Sequence, residues 1–170
     1  PRMLAMERLF GVPLEDLAGA GHDQRARDEM GATLVELLFR ELFEFGLMQT
    51  DPNFSNYLLV QDGKLGLLDF GSTSVIDNDL SVQYRALFLA LIDRDRDRIK
   101  AAIKDIGFLL ADDSAAVREG LIDLFLLVFS PMGFEGEFDF AGANIMSRTQ
   151  ELAMELAFKH GYMRAPPAHT

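Results

Sequence analysis

Between residues 23 and 71 the hydrophobic pattern of the chain changes abruptly, and this stretch constrains the fold most. Met30, Leu34, Leu37, Leu38, Leu42 and Phe45 recur at helical spacing. They predict a long amphipathic helix over 23–46, with Asp23 placed to cap its start and Gly46 to end it. Residues 47–56, Leu-Met-Gln-Thr-Asp-Pro-Asn-Phe-Ser-Asn, read as a loop. Tyr57-Leu58-Leu59-Val60 reads as a strand and Gln61-Asp62-Gly63-Lys64 as a turn, Asp-Gly being a preferred hairpin pair. Residues 65–70 form the expected return strand, broken by Gly71. A helix, a loop and a hairpin are thus embedded in a chain that otherwise reads as helical.

Segments near 79–93, 95–106, 114–129 and 145–160 show amphipathic or apolar helical spacing, punctuated by Gly107, Ser130-Pro131 and the stretch from Gly133 to Gly142. Residues 2–7 read as a strand leading into a connector marked by Gly11 and Pro13. The expected class is mainly α with a small β-hairpin. The most apolar run, Leu121 to Phe129, falls far short of the roughly 20 residues a membrane span needs and reads as a buried helix. The alternating charges of Asp93 to Arg98 read as a solvated helix junction with local ion pairs.

The 170 residues suit one domain or one lobe of a larger one. With 27 acidic and 16 basic side chains the net charge is −11, which argues against a nucleic-acid partner, because phosphate neutralisation needs clustered Lys and Arg. The absence of cysteine excludes disulfides, a zinc finger and a thiol nucleophile. His22, His160 and His169 lack metal spacing and read as surface or capping residues. The start at Pro1, without Met, suggests an excerpt from a longer chain.

Three polar residues stand out: Asp51 and Asn56, five apart on one loop, and Asp69, at the end of the hairpin before Phe70 and Gly71. Asp-x-x-x-x-Asn, a hairpin and Asp-Phe-Gly resemble the lower-lobe signature of the protein-kinase-like fold. Phosphoryl transfer needs a carboxylate to orient the nucleophile and hard oxygen ligands to hold Mg²⁺ against phosphates. Asp51 suits the first task, Asn56 and Asp69 the second. Phe54 and Tyr57, flanking Asn56, are expected to pack the loop onto the helical core.

The run from Arg40 to Asn56, with Leu67-Leu68-Asp69-Phe70-Gly71 downstream, resembles the UbiB-like atypical kinase family, the ubiquinone-biosynthesis kinase-like proteins. The match is sharp over 40–71 and looser over the whole chain. The resemblance implies the C-terminal lobe of an α+β kinase-like fold. It divides the chain into a hinge strand and connector (1–12), the long helix (23–46), the catalytic loop, hairpin and Asp-Phe-Gly (47–71) and a helical subdomain (79–170). It further implies Met6 as gatekeeper, with the backbone of Glu7 and Leu9 facing adenine, and ATP and Mg²⁺ as cofactors. The family's upper lobe, with its nucleotide loop, strand lysine and helix glutamate, has no counterpart in this sequence. Lys64, Lys100, Lys104 and Lys159, its four lysines, are not spaced to replace the strand lysine. The chain is therefore expected to be a lower lobe that is inactive alone.

Only Ser72 to Asn78 separate Asp-Phe-Gly from the next helix, and no Ala-Pro-Glu follows. So short a segment favours a small-molecule or lipid acceptor, such as a quinone precursor, or water, over a peptide. The resemblance implies a role in ubiquinone biosynthesis. It leaves room for a non-catalytic nucleotide-binding scaffold, with peripheral membrane or quinone-biosynthesis protein partners. A phosphotransferase of the aminoglycoside or choline kinase type is disfavoured by Gln49, where those enzymes carry His. The implied compartment is the cytoplasmic face of the inner membrane in a bacterium, or the mitochondrial matrix in a eukaryote.

Overall fold

The computed structural model describes residues 3, 6–19, 23–51 and 53–164. The expectations for residues 2, 4 and 5 of the hinge strand, for His22 and for His169 lie outside the described residues. The chain divides into two compact units, 1–78 and 79–170.

In the first unit the Asp23 carboxylate accepts a hydrogen bond from the Ala26 N–H at 2.8 Å and caps α1 (Gln24–Arg40). Helical winding continues through one wider π-turn, Glu41–Phe45, and ends at Gly46 in the left-handed region, φ 62°. The helix therefore fills the expected range, but its last turn is not α. The strands are β1 (Gly11–Pro13), β2 (Leu47–Gln49), β3 (Tyr57–Val60), β4 (Leu65–Leu67) and β5 (Thr73–Val75). The β3–β4 hairpin sets Tyr57 opposite Leu67 and Leu59 opposite Leu65. Asp62 and Gly63 adopt φ values of 62° and 71° at its turn, a left-handed pair that Asp-Gly tolerates.

Three expectations require correction. Of the residues read as an N-terminal strand, the described ones, Met3, Met6 and Glu7, are irregular, and a strand not expected from the sequence forms at Gly11–Pro13, paired antiparallel to β3. Gly11 permits that pairing, because a Cβ there would stand 2.5 Å from the Leu59 carbonyl oxygen. The return strand stops at Leu67 rather than 70. The segments 47–49 and 73–75, read as loop and linker, form a two-stranded antiparallel sheet. Three-residue strands leave too little alternation to be seen in a sequence. The unit's core gathers Leu14 and Leu17 from a 3₁₀ turn, Met30 of α1 and Tyr57 of β3, with Leu34, Leu37, Leu59, Leu65 and Leu67 packed against them.

The second unit contains α2 (Asn78–Ile92), α3 (Arg96–Ile106), α4 (Ala115–Val128), the short α5 (Phe140–Ala143) and α6 (Ile145–His160). Asp95 caps α3 through the N–H groups of Asp97 and Arg98, and Ser114 caps α4 through that of Val117. Leu87, Ile99, Ile103, Ile122 and Leu156 are its largest fully buried side chains. Gly120 lets α4 approach α6, since a Cβ there would lie 2.5 Å from Cδ2 of Leu156. In the run read as a buried helix, Leu121 and Ile122 are buried, 124–127 and Phe129 half-buried, and Asp123 and Val128 exposed, so the helix is buried along part of its surface only. The charged junction departs from expectation: Arg98 pairs locally with Asp93, but Arg96 reaches Glu119 and Asp123 on α4.

The tail after α6 is fastened to the 107–113 loop. Arg164 forms two hydrogen bonds, 2.6 and 2.9 Å, to the buried Asp113 carboxylate, which also accepts from the Leu110 N–H. The Tyr162 hydroxyl donates to the Phe108 carbonyl at 2.9 Å. The Arg164 bonds, aided by the Leu110 N–H and opposed by burial, hold the Asp113 carboxyl below its ordinary range.

Gly11→Ala should destabilise the chain by about 1–3 kcal/mol through forced displacement of β1 from β3, read as a lower urea midpoint. A depressed carboxyl stabilises the fold above its unfolded value, near 3.9, and loses that contribution as pH falls through the lower folded value. Arg164→Gln should therefore lower the urea midpoint at neutral pH, by an amount moderated by the guanidinium's exposure. Urea midpoints of the two proteins should converge as the pH drops below about 4.

Candidate active site

Two loops carry the polar constellation, and four strands fix their ends. The first, with Asp51 and Asn56, runs from β2 to β3; the second, with Asp69, runs from β4 to β5. Because β2 pairs with β5 and β3 with β4, the loops emerge side by side. Beyond the hairpin the Leu68 N–H donates to the Asn56 carbonyl at 2.9 Å, extending the ladder to the residue before Asp69. Beyond β2 the Thr50 N–H donates to the Ser72 carbonyl at 2.8 Å, and the Thr50 hydroxyl lies 3.0 Å from that oxygen and 2.9 Å from the Ser72 Oγ.

Gln49 ties the loops again: its Nε2 donates to the Asp69 carbonyl at 2.7 Å, while its backbone N–H donates to the Glu41 carboxylate at 3.2 Å. The Gln49 Oε1 is buried without a hydrogen-bond partner. Glu41, Gln49, Thr50 and Ser72 are scaffold residues that motif reading passed over. Gln49 had a signal, its place two residues before Asp51; the others had none, because their contacts span 8 to 22 residues.

Asp51 and Asp69 are exposed and Asn56 is half-buried, so solvent reaches the group. Asn56 closes a 3₁₀ turn, Phe54–Asn56, whose start is capped by the Asn53 side chain. Asp69 Oδ1 accepts from the Gly71 N–H at 2.7 Å, leaving Oδ2 without a partner among the described residues. Nor do the side chains of Asp51, Asn56 and Asp69 hydrogen-bond one another. Burial, followed by the Glu41 and Asp51 carboxylates, pushes the Tyr57 phenol up, so it stays neutral beneath the loop.

The donor set suits a hard cation. Among the described residues no group of three or more His, Cys, Asp or Glu could hold a metal. Mg²⁺, however, accepts one or two protein oxygens and completes its shell with phosphate and water. The free Asp69 oxygen and the Asn56 amide oxygen are hard donors of the type such a shell uses.

The expected adenine-side residues stand differently. Met6 is 71% exposed, Glu7 is exposed, and both lie in irregular chain. Leu9 is half-buried, its Cδ1 packed 3.0 Å from the position a Cβ on Gly66 would take. Tyr57 packs into the core as expected, whereas Phe54 is 56% exposed at the rim of an apolar cavity with Leu14, Leu17, Met30 and Leu34. His160 is exposed in the last turn of α6, consistent with a surface or capping role.

Residues 1–103 match the ABC1 atypical kinase-like domain. The chain belongs to the ABC1 atypical kinase-like family. It is 32% identical over 170 residues to the mitochondrial atypical kinase COQ8B of Rattus norvegicus, covering 99% of this chain and 31% of that protein. It is 29% identical over 174 residues to the mitochondrial atypical kinase COQ8 of Schizosaccharomyces pombe, covering 100% and 28%. The chain thus spans less than a third of the length of these relatives. Its fold resembles that of Rv3197 from Mycobacterium tuberculosis, solved in complex with erythromycin: the TM-score is 0.57 at 16% identity, over 94% of this chain and 50% of the other. The chain is mainly helical with small sheets, in a kinase-like fold, as the resemblance implied. Among the described residues no helix is long and apolar enough to cross a membrane.

The Asp69 turn separates charge from conformation. Asp69→Asn retains an oxygen for the Gly71 N–H, whereas Asp69→Ala does not. Amide exchange at Gly71 should stay within about twofold of wild type for the first and accelerate about tenfold or more for the second, measured by hydrogen exchange.

Proposed function

We propose that this chain is the lower lobe of an ATP- and Mg²⁺-dependent phosphoryl-transfer enzyme or ATPase of the ABC1 family, serving ubiquinone biosynthesis. The observation that supports this most is the pairing of β2 with β5 and β3 with β4, which fastens the Asp51–Asn56 loop alongside Asp69. Asp51, exposed at the start of its loop, acts as the carboxylate that accepts or orients the proton of the attacking hydroxyl or water. Asn56 and the open oxygen of Asp69 would hold Mg²⁺, which would supply neutralisation of charge on the transferring phosphoryl group. Gln49 keeps the Asp69 backbone in register through its 2.7 Å bond. Met6, Glu7 and Leu9 belong to the adenine side of the hinge, a role that rests on the family resemblance alone.

The acceptor is a small molecule, a lipid such as a quinone precursor, or water, because Ser72 to Asn78 is too short for a peptide platform. The mitochondrial names of the rat and fission-yeast relatives favour the mitochondrial option, for which the matrix rests on the family resemblance alone; the bacterial membrane face has no support from them.

The full-length parent should hydrolyse MgATP, and Asp51→Asn and Asp69→Asn should each lower kcat about 10²-fold or more. The 170-residue chain alone should show negligible turnover. Equal and negligible hydrolysis by the parent and both variants, with quinone synthesis intact, would replace the enzyme by a nucleotide-binding scaffold.

A further inference from the structure

Lys100 and Lys104 are two of only four lysines in a chain of net charge −11. They stand one turn apart on α3, and both line a cavity of about 180 Å³ with Leu109, Leu110, Ala111 and Arg118. Like charges at this spacing repel. Among the described residues neither lysine pairs with a carboxylate, whereas Arg96, Arg98, Lys159 and Arg164 all do. Asp97 and Asp105 share the helix but form no ion pair with either lysine.

The third cation is held in place. Arg118 donates through Nη1 to the Asp113 carbonyl, which fixes the guanidinium at the cavity while leaving most of its N–H groups uncommitted. The Asp113 carboxylate is hydrogen-bonded by Arg164 and the Leu110 N–H, and Arg118 acts on it only at longer range, without a hydrogen bond. Leu109 is buried beneath the cavity and Leu110 flanks it, and an apolar wall strengthens the attraction of a cationic rim for an anion. No aromatic ring is among the lining residues, and the cavity has about half the volume of the apolar one beside Phe54, which is about 360 Å³. That shape fits a compact oxyanion better than a nucleobase.

We propose that Lys100, Lys104 and Arg118 form a phosphate-binding site in the second unit, separate from the constellation of Asp51, Asn56 and Asp69. Two ammonium groups supply point charge and the guanidinium a directional fork, the combination that recognises a phosphomonoester or pyrophosphate group. The same chemistry is presented by a soluble phosphate or by the phosphomonoester headgroup of a lipid.

Calorimetric titration with inorganic pyrophosphate at low ionic strength, with divalent cations chelated, tests the site. Saturable binding at about 1 mM or tighter is expected. Lys100→Gln combined with Lys104→Gln should weaken it about tenfold or more, and Arg118→Lys, which keeps a donor for the Asp113 carbonyl, by a smaller factor. Lys159→Gln, which removes a lysine paired with Glu155 elsewhere, should leave it within about twofold. Co-sedimentation with phosphatidylcholine vesicles, with and without phosphatidic acid, separates the two sources. Binding that needs phosphatidic acid and is displaced by pyrophosphate assigns the site to a headgroup; pyrophosphate binding without co-sedimentation assigns it to a soluble phosphate. Absence of saturation, or equal weakening by Lys159→Gln and by the Lys100/Lys104 pair, would overturn the proposal.

Discussion

The first unit depends on backbone pairing between strands of three and four residues. β2 with β5 and β3 with β4 form ladders too short to be stable alone. They persist because their flanks are secured: β3 carries Tyr57 into the core beside Met30, Leu14 and Leu17, and Gln49 and Thr50 prolong the β2–β5 pairing with side-chain bonds. Each ladder joins a segment before the hairpin turn to one after it, so two loops distant in sequence acquire a common base. Side-chain chemistry at Asp51, Asn56 and Asp69 is secondary to that constraint. Freed from it, the same residues would be three solvated polar groups on mobile chain.

Local chemistry at the loops reinforces the same arrangement. Asp69 spends one carboxylate oxygen on the Gly71 N–H, stiffening the turn that displays the other. Asn53 caps the short turn ending in Asn56, so the Asn56 amide leaves a defined backbone. The Glu41 carboxylate, in the π-turn at the end of the long helix, accepts from the Gln49 backbone, linking helix and loop. A wider turn at that point changes where the last helical side chains project, which gives the π-turn a structural purpose.

The second unit uses different means. Asp95 and Ser114 cap α3 and α4, its buried core is aliphatic with aromatic rings packed against it, and the approach of α4 to α6 requires Gly120 opposite Leu156. Its polar interactions fall into two groups. The Asp113–Arg164 pair is engaged from both sides and fastens the tail, whereas Lys100 and Lys104 have like-charged company and no acidic partner among the described residues. In a chain with so many carboxylates, that contrast makes the lysine cavity chemically distinctive.

The sequence by itself determined the long helix with its Asp23 cap and Gly46 stop, the Asp-Gly hairpin, the four long helices after residue 77 and the family, though not the short α5, because periodicity, capping and motif spacing are properties of neighbouring residues. The tertiary structure alone decided that 11–13 is a strand, that 47–49 and 73–75 pair, that Arg96 leaves its own charged run for α4, and that Lys100 and Lys104 share a cavity with Arg118. Each depends on partners remote in the chain. A three-residue strand or a surface lysine carries almost no local signal; its free energy comes from whatever the fold sets opposite it.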